Sequence, residues 1–314
     1  MTKLLSAIFL HANLEPVIVS QIPQQNQSTH PPTGAFDHWL AQQFAKWPRY
    51  LSSPFRRFYG EFLAFGIKEA RACLFAGLVF LMIFALPRQP IFGIARYDLM
   101  LVLSLAIQIW MLRTRLETYD EMKAISLFHL LGFALEAFKT SPWIGSWSYP
   151  DPAFSKILGV PLFAGFMYVA VGSYIIQAWR MFNLRVEHHP PYWMAWLVAG
   201  AIYANFFTHH FIGDYRWYLA AIALGLYARS TVYFTPLDRE RSMPLLLSFV
   251  LIGFFIWLAE NFGTFFGVWR YPDQLGAWSS VHLSKWSSWS LLVVMSFTLV
   301  ANLKHIKASV RVPD

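Results

Sequence analysis

The chain is poor in charge and has almost no cysteine. Charged residues make up 13% of its 314 positions, against 56% for hydrophobic and 18% for aromatic residues, and Cys73 is its only cysteine. Soluble domains carry about 25% charged residues, so this composition excludes an ordinary soluble domain and indicates an integral membrane protein. A single thiol also excludes an intrachain disulfide and a cysteine metal cluster.

The sequence also lacks the short motifs of nucleotide-driven transport and common hydrolysis. It contains no Walker loop, dinucleotide fingerprint, G-x-S-x-G or H-E-x-x-H. Its net charge of +8 does not indicate a nucleic-acid-binding protein, because the basic residues flank apolar segments instead of forming one patch. We expect these residues to face the anionic lipids of a bilayer.

Apolar stretches are the main feature that the chain does have. Each is about 15–20 residues long, close to the length that crosses a hydrocarbon layer of ~30 Å as a helix. We predict an all-α, polytopic membrane helix bundle of about eight transmembrane helices, one of which could be re-entrant. The predicted spans are 72–87, 98–112, 124–138, 157–178, 192–208, 217–234, 244–260 and 286–303.

The segments outside the spans predict the orientation. Residues 1–34 read as a disordered tail or a cleaved signal peptide, residues 35–71 as an amphipathic segment on the inner leaflet, and residues 306–314 as a cytoplasmic tail. Alternate water-facing segments carry 18 and 7 Lys and Arg residues. The positive-inside rule therefore predicts that both termini are cytoplasmic.

Two stretches of the chain repeat one another. The motif W-x-Y-P-D occurs at 147–151 and again at 269–273, an offset of 122, and a glutamate precedes each copy. We predict two tandem four-helix repeats, 72–190 and 191–305, in parallel topology. Their third helices should then face each other across a pseudo-twofold axis.

The glutamates before the two motifs are the first candidates for chemistry. Glu136 and Glu260 are the only acids that the prediction puts within or at the edge of spans, where an unpaired carboxylate is costly. His129 and Lys139 share a helix face with Glu136. We predict Glu136 and Glu260 as catalytic acid and base, with a Glu136–Lys139 pair that only caps the helix end as the alternative.

A histidine pair follows the fifth span, on the same predicted outer face as both motifs. His209, His210 and Asp214 have no counterparts in the first copy, which suggests specialisation. We predict that they assist catalysis by proton transfer or by anchoring the substrate. Metal ligation at these three residues and a purely interfacial hydrogen-bonding role stay open, and the sequence leaves the cofactor unknown.

Lysines and aromatic residues near the glutamates predict a substrate site. Lys285 should neutralise Glu260 as Lys139 does Glu136. The tryptophans and tyrosines of the outer loops form either an interfacial belt or a cage around a cationic or polyene substrate. The predicted substrate-binding residues are His129, Lys139, Trp147, Tyr149, Asn261, Trp269, Tyr271, His282 and Lys285.

Several motifs in order carry a family resemblance. The stretches E-A-F-K-T, G-S-W-S-Y-P-D, G-V-P-L-F-A-G-F-M-Y, N-F-F-T-H-H-F and A-E-N-F-G-T-F together resemble the YoaT-like family of bacterial multi-pass membrane proteins. The resemblance implies the bacterial cytoplasmic membrane and a multi-pass fold, but no activity. Locally, Gly145-x-Trp147-x-Tyr149 and Gly159-Val160-Pro161-Leu162 are similar to a stretch of membrane-bound carotenoid hydratases, which add water to an isoprenoid double bond.

The residues therefore support three hypotheses about function. The first is a membrane-embedded enzyme that uses acid and base carboxylates on a lipophilic, lipid or isoprenoid-like, substrate at the outer half of the bilayer. The second is a proton-coupled transporter of a small molecule, because buried carboxylates in duplicated helical units also suit a carrier. The third is a non-catalytic membrane scaffold.

Overall fold

The computed structural model describes Trp39, Gln42, Gln43 and residues 53–313. The predicted tail 1–34 and the first part of the predicted amphipathic segment 35–71 lie outside the described residues. The described part of that segment is helix α1, Ser53–Ala72. One side of α1 exposes Phe58 and Phe62, while Lys68 on the other side donates to the carbonyl of Thr235 at 2.9 Å.

Each of the predicted spans contains a helix. After α1 the chain forms α2 (Leu74–Ala85), α3 (Arg96–Arg113), α4 (Tyr119–Lys139), α5 (Gly165–Met181), α6 (Tyr192–Thr208), α7 (Arg216–Tyr227), α8 (Leu245–Phe265), α9 (Lys285–Ala301) and the short α10 (Lys304–Lys307). Cys73, predicted inside the first span, lies at the junction of α1 and α2.

The prediction of an all-α fold is wrong in two places. Residues predicted to begin the fourth span form a hairpin of β1 (Lys156–Ile157) and β2 (Val160–Pro161). Its turn residues Leu158 and Gly159 both have positive φ, 52° and 80°, as a type I′ turn requires. A 3₁₀ turn, Leu162–Ala164, then leads into α5.

The second correction is a three-stranded antiparallel sheet in the order β3–β4–β5. Its strands are β3 (Arg185–Glu187), β4 (Thr231–Phe234) and β5 (Arg241–Pro244). The β4 residues T-V-Y-F, predicted as the end of the sixth span, are β-branched or aromatic and suit a strand. Val310 of the predicted tail pairs in parallel with Val186 of β3, so this tail belongs to the fold. We call this the sheet end of the bundle.

Helices α5 and α9 form the centre of the bundle. They pack against each other, α5 also packs on α4, α2 and α1, and α9 packs on α8, α6 and α7. The prediction that α4 and α8 face each other is therefore corrected, because the central contact belongs to α5 and α9. Helices α4 and α8 flank this pair, and both end at the opposite end of the bundle, which we call the cavity end.

Apolar side chains also cover the outside of the bundle. Exposed examples occur on six helices: Leu81, Phe84, Leu103, Ile109, Leu127, Leu130, Trp196, Leu197, Ile222, Leu224, Leu251 and Phe255. Two described helical segments, Leu162–Met181 and Leu245–Phe265, are long and apolar enough to cross a bilayer; 78% of the first and 22% of the second is buried. Two shorter helices, Leu74–Ala85 and Lys285–Ala301, are also apolar. A total of eight crossings stays a prediction.

Candidate functional site

One cavity of ≈ 160 Å³ lies at the cavity end, where α4, α6 and α8 finish and α7 and α9 begin. Its polar lining includes both glutamates of the repeated motifs, which are each only 3% exposed. The other polar and aromatic lining residues are Phe80, Lys139, Trp147, Tyr149, Tyr168, Asn205, Phe206, His209, Arg216, Trp269, Tyr271, Lys285, Ser288 and Trp289. Aliphatic side chains from several helices, such as Leu135, Val171, Ile202, Leu219 and Leu291, form the rest of its wall.

Glu136 is held by three neutral donors. Its Oε2 accepts from Trp147 Nε1 at 2.7 Å and from the Tyr149 hydroxyl at 2.8 Å, and its Oε1 accepts from the Tyr168 hydroxyl at 2.8 Å. The helix that carries Glu136 begins at a capping box made by Thr118. Because these donors occupy both oxygens, the alternative of a Glu136–Lys139 pair is not what the structure contains.

Glu260 is bound by two donors instead of three. Tyr271 donates its hydroxyl to Oε1, and Trp289 donates Nε1 to Oε2 at 2.7 Å. Each oxygen of Glu260 therefore accepts one hydrogen bond among the described residues and keeps a lone-pair direction open. Glu260 is the carboxylate with more capacity to exchange a proton with a bound molecule.

The two loops that carry the repeated motifs are joined to each other over the cavity. Ser148 and Arg270 exchange two backbone hydrogen bonds, each of 2.9 Å. The first residues of α3 hold both loops: Tyr97 donates to the Val268 carbonyl at 2.7 Å, and Asp98 accepts from the Ser155 amide at 2.8 Å. The loops thus form a fixed cover, and their Trp and Tyr side chains reach the glutamates from it.

Lys139 contacts the histidine pair. Its Nζ lies 3.2 Å from His209 Nε2 and 2.8 Å from His210 Nε2. His209 Nδ1 is 2.8 Å from the Asn205 carbonyl, so a neutral ring that donates there presents Nε2 as an acceptor for the ammonium. An ammonium at these atoms is incompatible with a metal ion on them. The described residues contain no group of three or more His, Cys, Asp or Glu that could hold a metal.

Lys285 lies between the two motif loops. Its Nζ is 4.7 Å from the centre of the Tyr271 ring and 5.6 Å from that of Trp147. Among the described residues Lys285 forms no direct ion pair, but its charge and that of Glu260 act on each other, so the predicted neutralisation of Glu260 by Lys285 acts through space and not through a contact. The aromatic cage predicted for a cationic substrate is instead occupied by a cation of the chain itself.

Asp214 and His210 lie beside the cavity and are exposed to solvent. Asp214 pairs with Arg216 at 3.0 Å; burial raises its pKa, but hydrogen bonds from the Arg216 amide and the Asn205 side chain lower it further, so the pKa lies below its ordinary value. Burial, followed by the charge of Lys139, lowers the pKa of His210 to about 4. His210 is therefore a neutral ring near pH 7, and Asp214 is a carboxylate that orients Arg216.

Three predicted substrate-binding residues do not line the cavity. His129 contacts Phe166, with ring centres 4.7 Å apart. The side-chain oxygen of Asn261 accepts from the Val281 amide at 2.8 Å, and His282 contacts Ser284 at the surface. Asn261 thus fastens the second loop to α8, and the other two lie apart from the glutamates.

The sequence reasoning missed three residues of the site. Tyr168 and Arg216 were not proposed, and Trp289 was included only among the interfacial aromatics. A hydroxyl within the apolar run of α5 is the one signal that could have indicated Tyr168. Arg96, 120 positions before Arg216, is instead buried and donates to the Ile83 carbonyl at 2.8 Å.

Two further buried acids lie near the sheet end. Glu117 is 1% exposed and accepts from Ser173 at 2.5 Å and from the Gln108 amide. Glu121 is fully buried and pairs with Arg180. Both lie outside the predicted spans and are buried because α5 covers the turn between α3 and α4, so position relative to the spans did not indicate every buried acid.

The fold and the site define a helical bundle in which two buried glutamates, each in a net of aromatic donors, meet lysine and histidine side chains in one cavity. The chain belongs to the family described as Protein of unknown function (DUF817), whose model matches residues 61–297. It is similar to the Bacillus subtilis (strain 168) protein named Uncharacterized protein YoaT, with 47% identity over 247 residues, 79% of this chain and 93% of that protein. No solved structure matches the chain.

These comparisons confirm the resemblance to the YoaT-like family. The membrane location and the local likeness to carotenoid hydratases stay predictions.

Proposed function

We propose that the chain is a multi-pass membrane enzyme that acts on a lipophilic substrate within the cavity. The observation that carries this proposal is the convergence of Glu136, Glu260, Lys139 and His209 on one cavity whose remaining wall is mostly apolar or aromatic. Proton-transferring groups in a largely apolar cavity suit the conversion of a lipid or isoprenoid-like molecule.

The exposed surface supports the membrane part of the proposal. Apolar side chains project outward from α2, α3, α4, α6, α7 and α8, more than a soluble protein normally exposes. With about eight crossings, the sheet end faces the cytoplasm together with both termini, and the cavity end faces the outer half of the bacterial cytoplasmic membrane.

Paired contacts support two tandem repeats within this bundle. Tyr149 binds Glu136 in the first copy as Tyr271 binds Glu260 in the second. Ser148 and Arg270 occupy equivalent positions, 122 residues apart, and exchange reciprocal backbone bonds. A pseudo-twofold axis that passes between these two residues accounts for both observations.

The hydrogen bonds suggest different roles for the two glutamates. Glu260, with fewer donors, exchanges a proton with the substrate. Glu136, with three, holds Trp147 and Tyr149 of the first loop in place and supplies a fixed negative charge. His209 and Lys139 form a second proton-transfer pair at the same end.

The local likeness to carotenoid hydratases supplies a candidate reaction. In alkene hydration a carboxylic acid protonates the double bond, and water adds to the resulting carbocation. Glu260 would donate the proton to the double bond and take back the proton that the added water loses.

Metabolite profiles of a deletion strain test this function. A strain that lacks the gene is rescued with the wild-type chain, with Glu260→Gln or with the control Asp238→Asn, which changes an exposed carboxylate at the sheet end. We expect the wild type and the control to restore the lipid profile, and Glu260→Gln to lower conversion by at least 100-fold, as loss of a general acid does. Full restoration by Glu260→Gln would contradict the proposed role.

A proton-coupled carrier is the second candidate, and one observation favours it. The Glu117 cluster provides a buried polar group at the opposite end, with the side-chain oxygens of Gln108 and Gln177 unpartnered. A carrier needs a sealed compartment, whereas an enzyme does not. Conversion by detergent-solubilised protein of the lipid that accumulates in the deletion strain therefore supports the enzyme. Uptake of a small molecule that requires closed vesicles supports the carrier.

A further inference from the structure

The cavity contains hydrogen-bond donors that the protein itself does not satisfy. Among the described residues, the half-buried ammonium of Lys285 contacts the Tyr271 and Trp147 rings and forms no hydrogen bond or direct ion pair, although the charges of Glu260 and Glu136 act on it through space. A charged donor removed from water without an acceptor is costly. An acceptor from outside the chain would remove this cost.

Lys139 and Arg216 add donors at the same end of the cavity. Two N–H groups of Lys139 are directed to the histidines, which leaves the third without a partner in the described chain, since an ammonium has three. Arg216 uses one nitrogen for Asp214 at 3.0 Å and another for the Ser284 carbonyl at 3.3 Å. Its guanidinium still lines the cavity.

The carboxylates of the cavity do not use these donors. Glu136 and Glu260 accept from aromatic hydroxyl and indole groups, and Asp214 lies outside the lining. Most of the unused hydrogen-bonding groups among the polar residues that line the cavity are therefore cationic donors. A ligand with acceptor oxygens would satisfy them.

We propose that Lys285, Lys139 and Arg216 bind the anionic oxygen headgroup of an amphipathic molecule, a carboxylate or a phosphate monoester, whose hydrocarbon part lies along the apolar wall. This proposal rests on the proposed function, because it names the class of the lipophilic substrate. A headgroup fixed by three cationic side chains would place the adjoining carbons beside Glu260.

The size of the cavity agrees with a headgroup and its first carbons. At ≈ 160 Å³ it compares with the ~150 Å³ cavity that accommodates benzene. A longer chain therefore extends beyond the cavity, and specificity resides in the headgroup and in the carbons next to it.

Calorimetric binding to the full chain in neutral phosphatidylcholine nanodiscs tests the headgroup. The probes are decanoate, decyl phosphate, decanol and decyltrimethylammonium, which share one tail. We expect at least one of the two acids to bind ten-fold or more tightly than decanol, and the tighter acid identifies the headgroup. Equal affinity for decanol and both acids, or preference for the ammonium, would overturn the proposal.

Variants separate this binding from folding and from catalysis. Lys285→Met should remove the preference for the acid, and Lys285→Arg should keep it, while Lys123→Met changes an exposed lysine and should leave it unchanged. A melting temperature within a few degrees of wild type shows that Lys285→Met folds. Preserved acid preference in a folded Lys285→Met would also refute the assignment.

Glu260→Gln separates binding from catalysis. This variant should still bind the acid, so a failure of conversion and a failure of binding are distinguishable.

Discussion

At the scale of single residues, the site shows how a bundle of helices can bury two carboxylates without pairing them to lysine. Each carboxylate accepts hydrogen bonds from neutral aromatic donors, and a hydrogen bond to a charged group contributes about 1.5–3 kcal/mol. Three such bonds on Glu136 and two on Glu260 offset much of the cost of burial. The lysines are thereby free to serve a ligand.

His210 should make the stability of the protein depend on pH. Its folded pKa is about 4, below the ~6.5 of an unperturbed histidine. Between these values the unfolded chain binds a proton that the folded chain does not, so stability falls as the pH falls from about 6.5 to 4. The charged and titratable groups that act on it are Lys139, His209 and Lys285.

We expect His210→Gln to reduce the drop in melting temperature between pH 7 and pH 5. Thermal unfolding of the purified chain, followed by tryptophan fluorescence, measures this drop. His282→Gln, at an exposed histidine of the same end, is the control and should leave the drop as in wild type. An unchanged drop in His210→Gln would refute the assignment.

Sequence reasoning anticipated that several ionisable side chains converge but did not predict their partners. The glutamates, Lys139, His209 and Lys285 were predicted from rare ionisable groups next to apolar runs, and they do meet in one cavity. Their bonds were not predicted, because the donors to Glu136 lie 11, 13 and 32 positions away. Only the folded loops bring these donors back to the helix.

At the scale of elements, α8 and α9 are in close contact where α8 has a glycine. A Cβ added at Gly253 would lie 2.6 Å from the backbone nitrogen of Ser290 and 2.8 Å from its Cα. Backbone atoms cannot move aside as a flexible side chain can. Small residues at such crossings are typical of closely packed membrane helices.

We expect Gly253→Ala to destabilise the fold by about 1–3 kcal/mol, the usual cost of overpacking. Gly200→Ala is the matched control, because Gly200 also lies within a helix and no atom lies within 4 Å of its added Cβ. That substitution should be neutral or stabilise by ~0.5–1 kcal/mol. Denaturant unfolding of both variants measures the difference, and equal stability of the two would contradict the close crossing.

The positions of the helices were predictable, while the way they pack was not. Hydropathy and flanking charges located each of the apolar helices to within several residues. None of the five strands was predicted. The residues of β2 and β4, V-P and T-V-Y-F, are as apolar as the helices they adjoin, and hydropathy does not separate a short apolar strand from a helix end. The strands β3 and β5 begin in segments predicted as loops. The central role of α5 and α9 depends on contacts that no local pattern encodes.

At the scale of the whole molecule, the two ends of the bundle differ in chemistry and, on the proposed topology, in the compartment they face. The cavity end holds the motif loops, and the sheet end holds β3, β4, β5 and Val310. The excess of Lys and Arg, 18 against 7, lies with the segments assigned to the sheet end. On the proposed topology, the positive-inside rule therefore predicts that this end faces the cytoplasm.

A single native cysteine makes this orientation directly measurable. In a Cys73→Ser background, Phe154→Cys lies at a position that is 99% exposed at the cavity end, and Asp238→Cys lies at an exposed position near β5. We expect a membrane-impermeant maleimide to label Phe154→Cys in intact cells, and Asp238→Cys only after permeabilisation. The reverse pattern would invert the orientation. Equal labelling of both in the soluble fraction would contradict a membrane-spanning chain, and with it the placement of the cavity in the outer half of the bilayer.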